Sequence, residues 1–148
     1  MMQTKSDQNL YFRPVNSEKH TGISLAAGSV QAGFATWSED EIEKPLSLDD
    51  YLVAHASTTF LVRVAGESMI EAGILPGDIL VVDRSLTAKS GQIVVAVVDG
   101  DLTVKRLVKT AHHVELRPEN KRFPKTVVPE GASVQIWGVV TGVVRKFA

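Results

Sequence analysis

The chain changes texture near residue 57. From there to Val144, short runs of branched and aromatic residues alternate with turn signals. The runs are Thr59-Phe60-Leu61-Val62-Arg63-Val64, Ile79-Leu80-Val81-Val82-Asp83, Gln92 to Val98, Leu102 to Val108, His113 to Arg117 and Val134 to Val144. The second is entered through Leu75-Pro76-Gly77-Asp78. Runs of this length and composition, bounded by Gly, Pro and Asp, predict strands. Asp99-Gly100 between two of them predicts a two-residue hairpin, because a type I′ turn needs positive φ at both central positions. Gly138 and Gly142 inside the last run predict a bend or bulge. Short strands, close turns and little helix make the domain mainly β, with no repeat at a fixed period.

Ahead of residue 57 no sustained period is present. Residues 1 to about 46 carry Gly22, Gly28 and Gly33, two prolines, many Ser, Thr and Asn, and scattered large apolar residues. The acidic cluster Glu39-Asp40-Glu41 with Glu43 reads as a solvated stretch. A short helix is predicted after Pro45. Ser47 is a good N-cap, Asp49 and Asp50 fall in the first turn, and Leu48, Tyr51, Leu52 and Val53 supply apolar spacing. The predicted organisation is thus a flexible N-terminal arm with a short helix over residues 1–56, and a β domain over 57–148.

Composition narrows the function. With 148 residues, 44% hydrophobic, the chain is long enough to bury a core without staples. The formal charge is -1, so no global basic field exists for non-specific nucleic-acid binding. Cysteine is absent, which removes disulfides, thiolate catalysis and sulfur-based zinc sites. The longest purely apolar run is Ile93 to Val98, far short of the roughly 18 residues a membrane helix needs. Lys5 and Asp7 interrupt the start of the chain, and no secretory signal is expected there.

Two residues stand out as candidate chemistry. Ser68 follows a strand and a glycine, in Val64-Ala65-Gly66-Glu67-Ser68-Met69-Ile70. Read alone it is an N-cap serine or a nucleophile in need of a base. The G-x-S-x-G elbow of α/β-hydrolases does not fit: Ile70 replaces the second glycine, and the parallel α/β pattern is missing. Lys105 lies on a strand, sharing a face with Thr103 and Leu107. It is either a solvated lysine or a base. At a pKa near 10.4, only about one lysine in 2,500 is neutral at pH 7. Lowering that pKa to about 7 costs the ammonium form roughly 4–5 kcal/mol, which burial among apolar side chains can supply. Val97, Val104, Leu107 and Val139 make such surroundings available. A neutral Lys105 could then take the Ser68 proton.

The histidines offer less. His112 and His113 are adjacent, so on a strand they face opposite ways. His20 and His55 have no partner at ligand spacing. A triad of Ser68, an Asp and His112 is formally possible in chain order, without local support. No metal site and no cofactor are expected, and neither a P-loop nor a dinucleotide fingerprint occurs.

Four motifs in order go further: Gly66-Glu67-Ser68-Met69, Gly73-Ile74-Leu75-Pro76-Gly77-Asp78-Ile79-Leu80-Val81-Val82-Asp83, Gly91-Gln92-Ile93-Val94-Val95-Ala96, and Asp99-Gly100-Asp101-Leu102-Thr103-Val104-Lys105-Arg106-Leu107. Over about Ser57 to Val144 the chain resembles the LexA/UmuD family of self-cleaving serine peptidases. The resemblance implies a peptidase domain of twisted antiparallel sheets, barrel-like, with an extended N-terminal arm. It implies Ser68 as nucleophile and Lys105 as general base, 37 residues apart. Val30-Gln31-Ala32-Gly33-Phe34 resembles the family's cleavage segment, which implies a scissile bond between Ala32 and Gly33.

Only 32 residues precede Gly33, and no amphipathic helix pair is present among residues 1–30, so no helix-turn-helix and no direct sequence-specific DNA binding are expected. The short arm points to the UmuD-like branch of the family. That branch implies a bacterial cytoplasmic homodimer whose self-cleavage is stimulated by the RecA–single-stranded DNA filament. It also implies that the processed product serves a UmuC-like Y-family polymerase in translesion synthesis. A dimeric module that binds polymerase or RecA without cleaving is the alternative. An oligonucleotide-binding barrel is disfavoured by the charge balance and the few aromatics.

Overall fold

The computed structural model describes residues 11–12, 23, 45–129 and 134–148. These fall into two compact units: Ile23 and residues 45–54 belong to one, and Tyr11, Phe12 and the chain from His55 onward belong to the other.

In the first unit, the expected helix is α1, Leu48–Leu52. Ser47 caps it, its side-chain oxygen accepting the Asp50 N–H at 3.3 Å, one of the donors a helix start leaves unpaired. Asp49 and Asp50 complement the positive end of the helix. The Val53 N–H closes the last turn on the Asp49 carbonyl.

The second unit is built on one antiparallel sheet. Its strands are β1 (Tyr11–Phe12), β2 (Thr59–Arg63), β3 (Ile79–Asp83), β4 (Ile93–Val98), β5 (Asp101–Lys109), β6 (Val114–Arg117), β7 (Thr126–Val128) and β8 (Gln135–Val144). They lie in the order β1-β2-β3-β8-β4-β5-β6-β7. The mainly β reading and six of the strands agree with the hydrophobic pattern. The two shortest strands were not predicted: β1 has two residues, and β7 has three, between Pro124 and Pro129.

The β4–β5 hairpin turns at Asp99-Gly100, with φ of 51° and 83° and Val98 opposite Asp101. Both values are positive, as the two-residue turn demands. Strand β8 bulges twice. Val95 pairs with Gly138 while Ala96 pairs with Ile136, and Val81 pairs with Gly142 while Val82 pairs with Val140. Each bulge falls beside a glycine that had predicted one. The extra residues bend β8, so that it joins both β3 and β4.

Strand β4 is buried on both faces, which explains its unbroken apolar run. Side chains alternate along a strand, and Val95 joins one cluster with Val62, Met69, Ile74, Leu80 and Val82. Val94 and Ala96 join another with Ala88, Leu107, Leu116 and Val139. The first cluster underlies the segment between β2 and β3, where Ser68 sits.

Candidate active site

Lys105 occupies the middle of β5, opposite Val94 of β4. Ser68 lies in the β2–β3 connection, just ahead of a 3₁₀ turn over Ile70–Ala72. Met69, not Ser68, holds the N-cap position of that turn, without a side-chain capping bond. The Ser68 hydroxyl instead meets the Lys105 amine, Nζ to Oγ 3.1 Å. Met69 is buried and anchors the loop in the core cluster beneath it.

Two further acceptors surround the amine. Nζ donates to Thr103 Oγ1 at 2.6 Å and to the Val104 carbonyl at 3.0 Å. Thr103 stands two residues from Lys105, on the same face of the strand. A neutral amine has two N–H groups and one lone pair. If Thr103 and Val104 take the two hydrogens, the lone pair faces Ser68. Lys105 is half-buried, and desolvation pushes its pKa below the ordinary lysine value. The arrangement can therefore accept a proton from the serine hydroxyl.

A cleft opens beside this pair. It is lined by Val62, Val64, Met69, Val95, Leu102 and Val104, with Ser68 and Thr103 at its wall. Of the apolar surroundings expected for Lys105, Val104 lines the cleft. Leu107 and Val139 belong to the other cluster.

The remaining candidates go elsewhere. His112 is exposed in the turn before β6, its N–H on Thr110 Oγ1 at 3.3 Å. His113 and His55 are each tied to a buried carboxylate, Glu115 and Asp83, at 2.6 Å. Among the described residues, Ser68 Oγ bonds Lys105 and no histidine. No group of three His, Cys, Asp or Glu able to hold a metal is present among the described residues, and no described helix is long and apolar enough to cross a membrane. Ala32, Gly33 and His20 lie outside the described residues.

The sequence pattern missed the supports. Asp78 is buried and receives a two-pronged bond from Arg145, Nε to Oδ1 2.7 Å and Nη2 to Oδ2 2.6 Å. Asp78 also accepts the Leu75 N–H at 2.7 Å, and Arg145 reaches the Gly73 carbonyl at 2.8 Å. The Arg145 bonds outweigh the cost of burial and hold the Asp78 carboxyl below the usual carboxylate range. The Gly73–Asp78 segment is thereby pinned to the end of β8 by a residue 67 positions away. No local pattern signals such a pair.

The Peptidase S24-like family profile matches residues 24–141. The chain is 46% identical to Protein MucA of Salmonella typhimurium over 113 residues, 76% of this chain and 77% of that one. It is 40% identical to Protein ImpA of Salmonella typhimurium over 140 residues, 93% and 94% of the two chains. It is 37% identical to the LexA repressor of Clostridium novyi over 120 residues, 81% of this chain and 58% of the repressor.

Proposed function

The chain belongs to the Peptidase S24-like family, and from that premise we propose that it is a UmuD-like serine endopeptidase that cleaves itself between Ala32 and Gly33. The observation that carries the reading is the 3.1 Å contact between Lys105 Nζ and Ser68 Oγ, with the amine half-buried and its pKa lowered. Neutral Lys105 takes the Ser68 proton as Oγ attacks the Ala32 carbonyl. The tetrahedral intermediate is stabilised by backbone N–H groups of the serine loop. It collapses as Lys105 passes the proton to the Gly33 amine, breaking the Ala32–Gly33 bond. Water then hydrolyses the acyl-serine and releases residues 1–32. The apolar cleft suits the small side chain of Ala32, and glycine after it lets the backbone enter closely.

In this reading residues 57–148 are the peptidase domain, and residues 1–56 are the arm that carries the cleavage segment. A tethered substrate has a high effective concentration, so a weakly basic lysine suffices. Control then rests on how often the arm is docked. We assign that control to the RecA–single-stranded DNA filament. We assign the product, residues 33–148, to a homodimer that joins a Y-family translesion polymerase. Family membership and the similarity to MucA and ImpA over most of the chain support these assignments.

The test is intact mass after incubation with RecA, single-stranded DNA and ATPγS, for wild type and Ser68→Ala. Loss of residues 1–32 from the wild type alone is the expected result. An uncut wild type, beside a RecA preparation active on another substrate, would replace the peptidase reading with the non-cleaving binding module.

A further inference from the structure

The connection between β6 and β7 is tied to the serine loop at four points. Glu119 N–H donates to the Ser68 carbonyl at 2.8 Å, and Glu71 N–H donates to the Glu119 carbonyl at 2.8 Å. Asn120 Nδ2 donates to the Glu67 carbonyl at 2.8 Å, and Lys121 N–H reaches Glu71 Oε1 at 3.3 Å. The Glu119 side chain also pairs with Arg106, the residue after Lys105. One loop, about fifty residues downstream, therefore touches the serine loop and the lysine strand.

Asn120 carries the side-chain amide of that loop, and both its nitrogen and its oxygen are bonded. It is 6% exposed. Its Oδ1 accepts the Arg122 N–H at 3.0 Å, which leaves Nδ2 as the group that faces Glu67. In a trans peptide the carbonyl and the N–H point in opposite directions. Holding the Glu67 carbonyl on Asn120 thus sets the direction of the Ser68 N–H. Holding the Ser68 carbonyl on Glu119 sets the direction of the Met69 N–H. Among the described residues, neither of those two N–H groups has a hydrogen-bond acceptor.

We propose that Asn120 is a positioning residue for the reaction: its side-chain amide, bonded to the Glu67 carbonyl, orients the Ser68 peptide so that hydroxyl and N–H act together on the scissile carbonyl. The proposal rests on the reading of Ser68 as nucleophile. Asn120 touches no reacting atom and acts through the Glu67–Ser68 peptide.

Asn120→Asp tests it with little change of shape. The carboxylate keeps the Arg122 bond and sets an oxygen against the Glu67 carbonyl in place of a donor. Asn120→Ala removes the donor without adding charge. The measurement is the first-order rate of self-cleavage of the full chain alone, from pH 7 to pH 11, with folding checked by circular dichroism. Asn120→Asp is expected to cleave about a hundredfold more slowly at the high-pH plateau, the size of a lost oxyanion donor. Asn120→Ala is expected to be about tenfold slower, as for one lost hydrogen bond. The midpoint of the Asn120→Ala profile stays where the wild type has it, because the Lys105 amine bonds Ser68, Thr103 and Val104 and not Asn120. Asn120→Asp adds a carboxylate near the amine, so it is read by its rate at the high-pH plateau and not by its midpoint. A merely structural role would loosen the site, hydrate Lys105 and move the midpoint upward. If Asn120→Asp does not fold, Asn120→Ala decides alone. A folded variant cleaving within about twofold of wild type, or a slower Asn120→Ala with a shifted midpoint, overturns the proposal. A wild type as inert as Ser68→Ala even with RecA, single-stranded DNA and ATPγS present overturns the reading of Ser68 and the clamp with it. A cleaving wild type beside an equally active Asn120→Asp overturns the clamp alone.

Discussion

The two halves of the site are built in opposite ways. Lys105 sits in a regular ladder, on a hairpin closed by its own two-residue turn and paired residue by residue from Ile93↔Arg106 to Val98↔Asp101. Ser68 sits on a connection with a single 3₁₀ turn, held in shape by Glu119, Asn120 and Arg145 from far along the chain. The hairpin is a local object, and its order follows from contacts within about twenty residues. The serine loop takes its tertiary hydrogen bonds from the β6–β7 connection and from the residue after β8. In the proposed reaction a locally determined base meets a nucleophile whose geometry depends on distant parts of the chain.

The largest effect on this comparison is expected at Lys105. Lys105→Ala leaves the hairpin paired and removes the group that the proposed reaction uses as proton acceptor. Self-cleavage is expected to fall by on the order of a thousandfold or more, with the melting temperature close to wild type. Lys105→Arg should be equally inactive, since a guanidinium does not deprotonate in this range. Rapid cleavage by either variant, measured by intact mass at pH 9 to 10, would remove Lys105 from the reaction.

Arg145→Met attacks the other half. It leaves the buried Asp78 carboxylate without its partner and frees the Gly73–Asp78 segment from β8. Removing one member of a buried pair is strongly destabilising. The melting temperature should drop by several degrees, and cleavage at a temperature where the variant is folded should slow by about tenfold. A variant with wild-type cleavage would show that the serine loop is rigid without this anchor.

How much of this was legible follows the same division. Periodicity exposed β2, β3, β4, β5, β6 and β8, because each carries a run of branched residues between turn signals. The hairpin at Asp99-Gly100 was legible because its turn chemistry is local. β1 and β7 were not, being too short to show a period. Ser68 and Lys105 were singled out from their motifs, but their 3.1 Å contact depends on the sheet order. Asn120 and Arg145 carried no signal, because an amide or a guanidinium on a polar stretch looks like any solvated side chain. The structure gives them meaning through partners 53 and 67 residues away.

Acid acts on three buried carboxylates, of which Asp78 anchors the serine loop. Asp83 is buried, which raises its pKa, but bonds from His55, Ser85 and Thr58 outweigh that and bring it to about 2. Glu115 is brought to about 2 chiefly by Arg117, then by His113 and Lys125. Asp78 is lowered by Arg145. Each folded pKa lies below its unfolded value, near 3.9 for Asp and 4.3 for Glu. Their stabilisation is therefore complete above about pH 5 and is lost as pH falls toward 2. Melting temperature should be nearly level from pH 7 to pH 5 as far as these groups act, then fall steeply. Asp78→Asn should make that fall shallower, since one titrating anchor is gone. An unchanged slope would mean that Asp78 contributes nothing to acid sensitivity.

The smallest effect is the sharpest comparison. Gly100 closes the hairpin at φ 83°, and Gly73 ends the 3₁₀ turn of the serine loop at φ 80°. A Cβ at either position meets open space, so substitution costs only the backbone strain of a left-handed residue, about 1–2 kcal/mol. Gly100→Ala and Gly73→Ala should thus lose similar stability in denaturant titrations. Their effects on cleavage should differ. The β4–β5 ladder holds Lys105 in register whatever its turn does, so Gly100→Ala should cleave within about twofold of wild type at equal folded fraction. Gly73 shares Arg145 with Asp78 and closes on the Ile70 carbonyl two residues after Ser68. Strain there is relieved by moving the loop, and Gly73→Ala should cleave about five- to tenfold more slowly, a penalty of about 1 kcal/mol on the transition state. Equal rates for the two alanine variants would show that the serine loop is as locally determined as the hairpin.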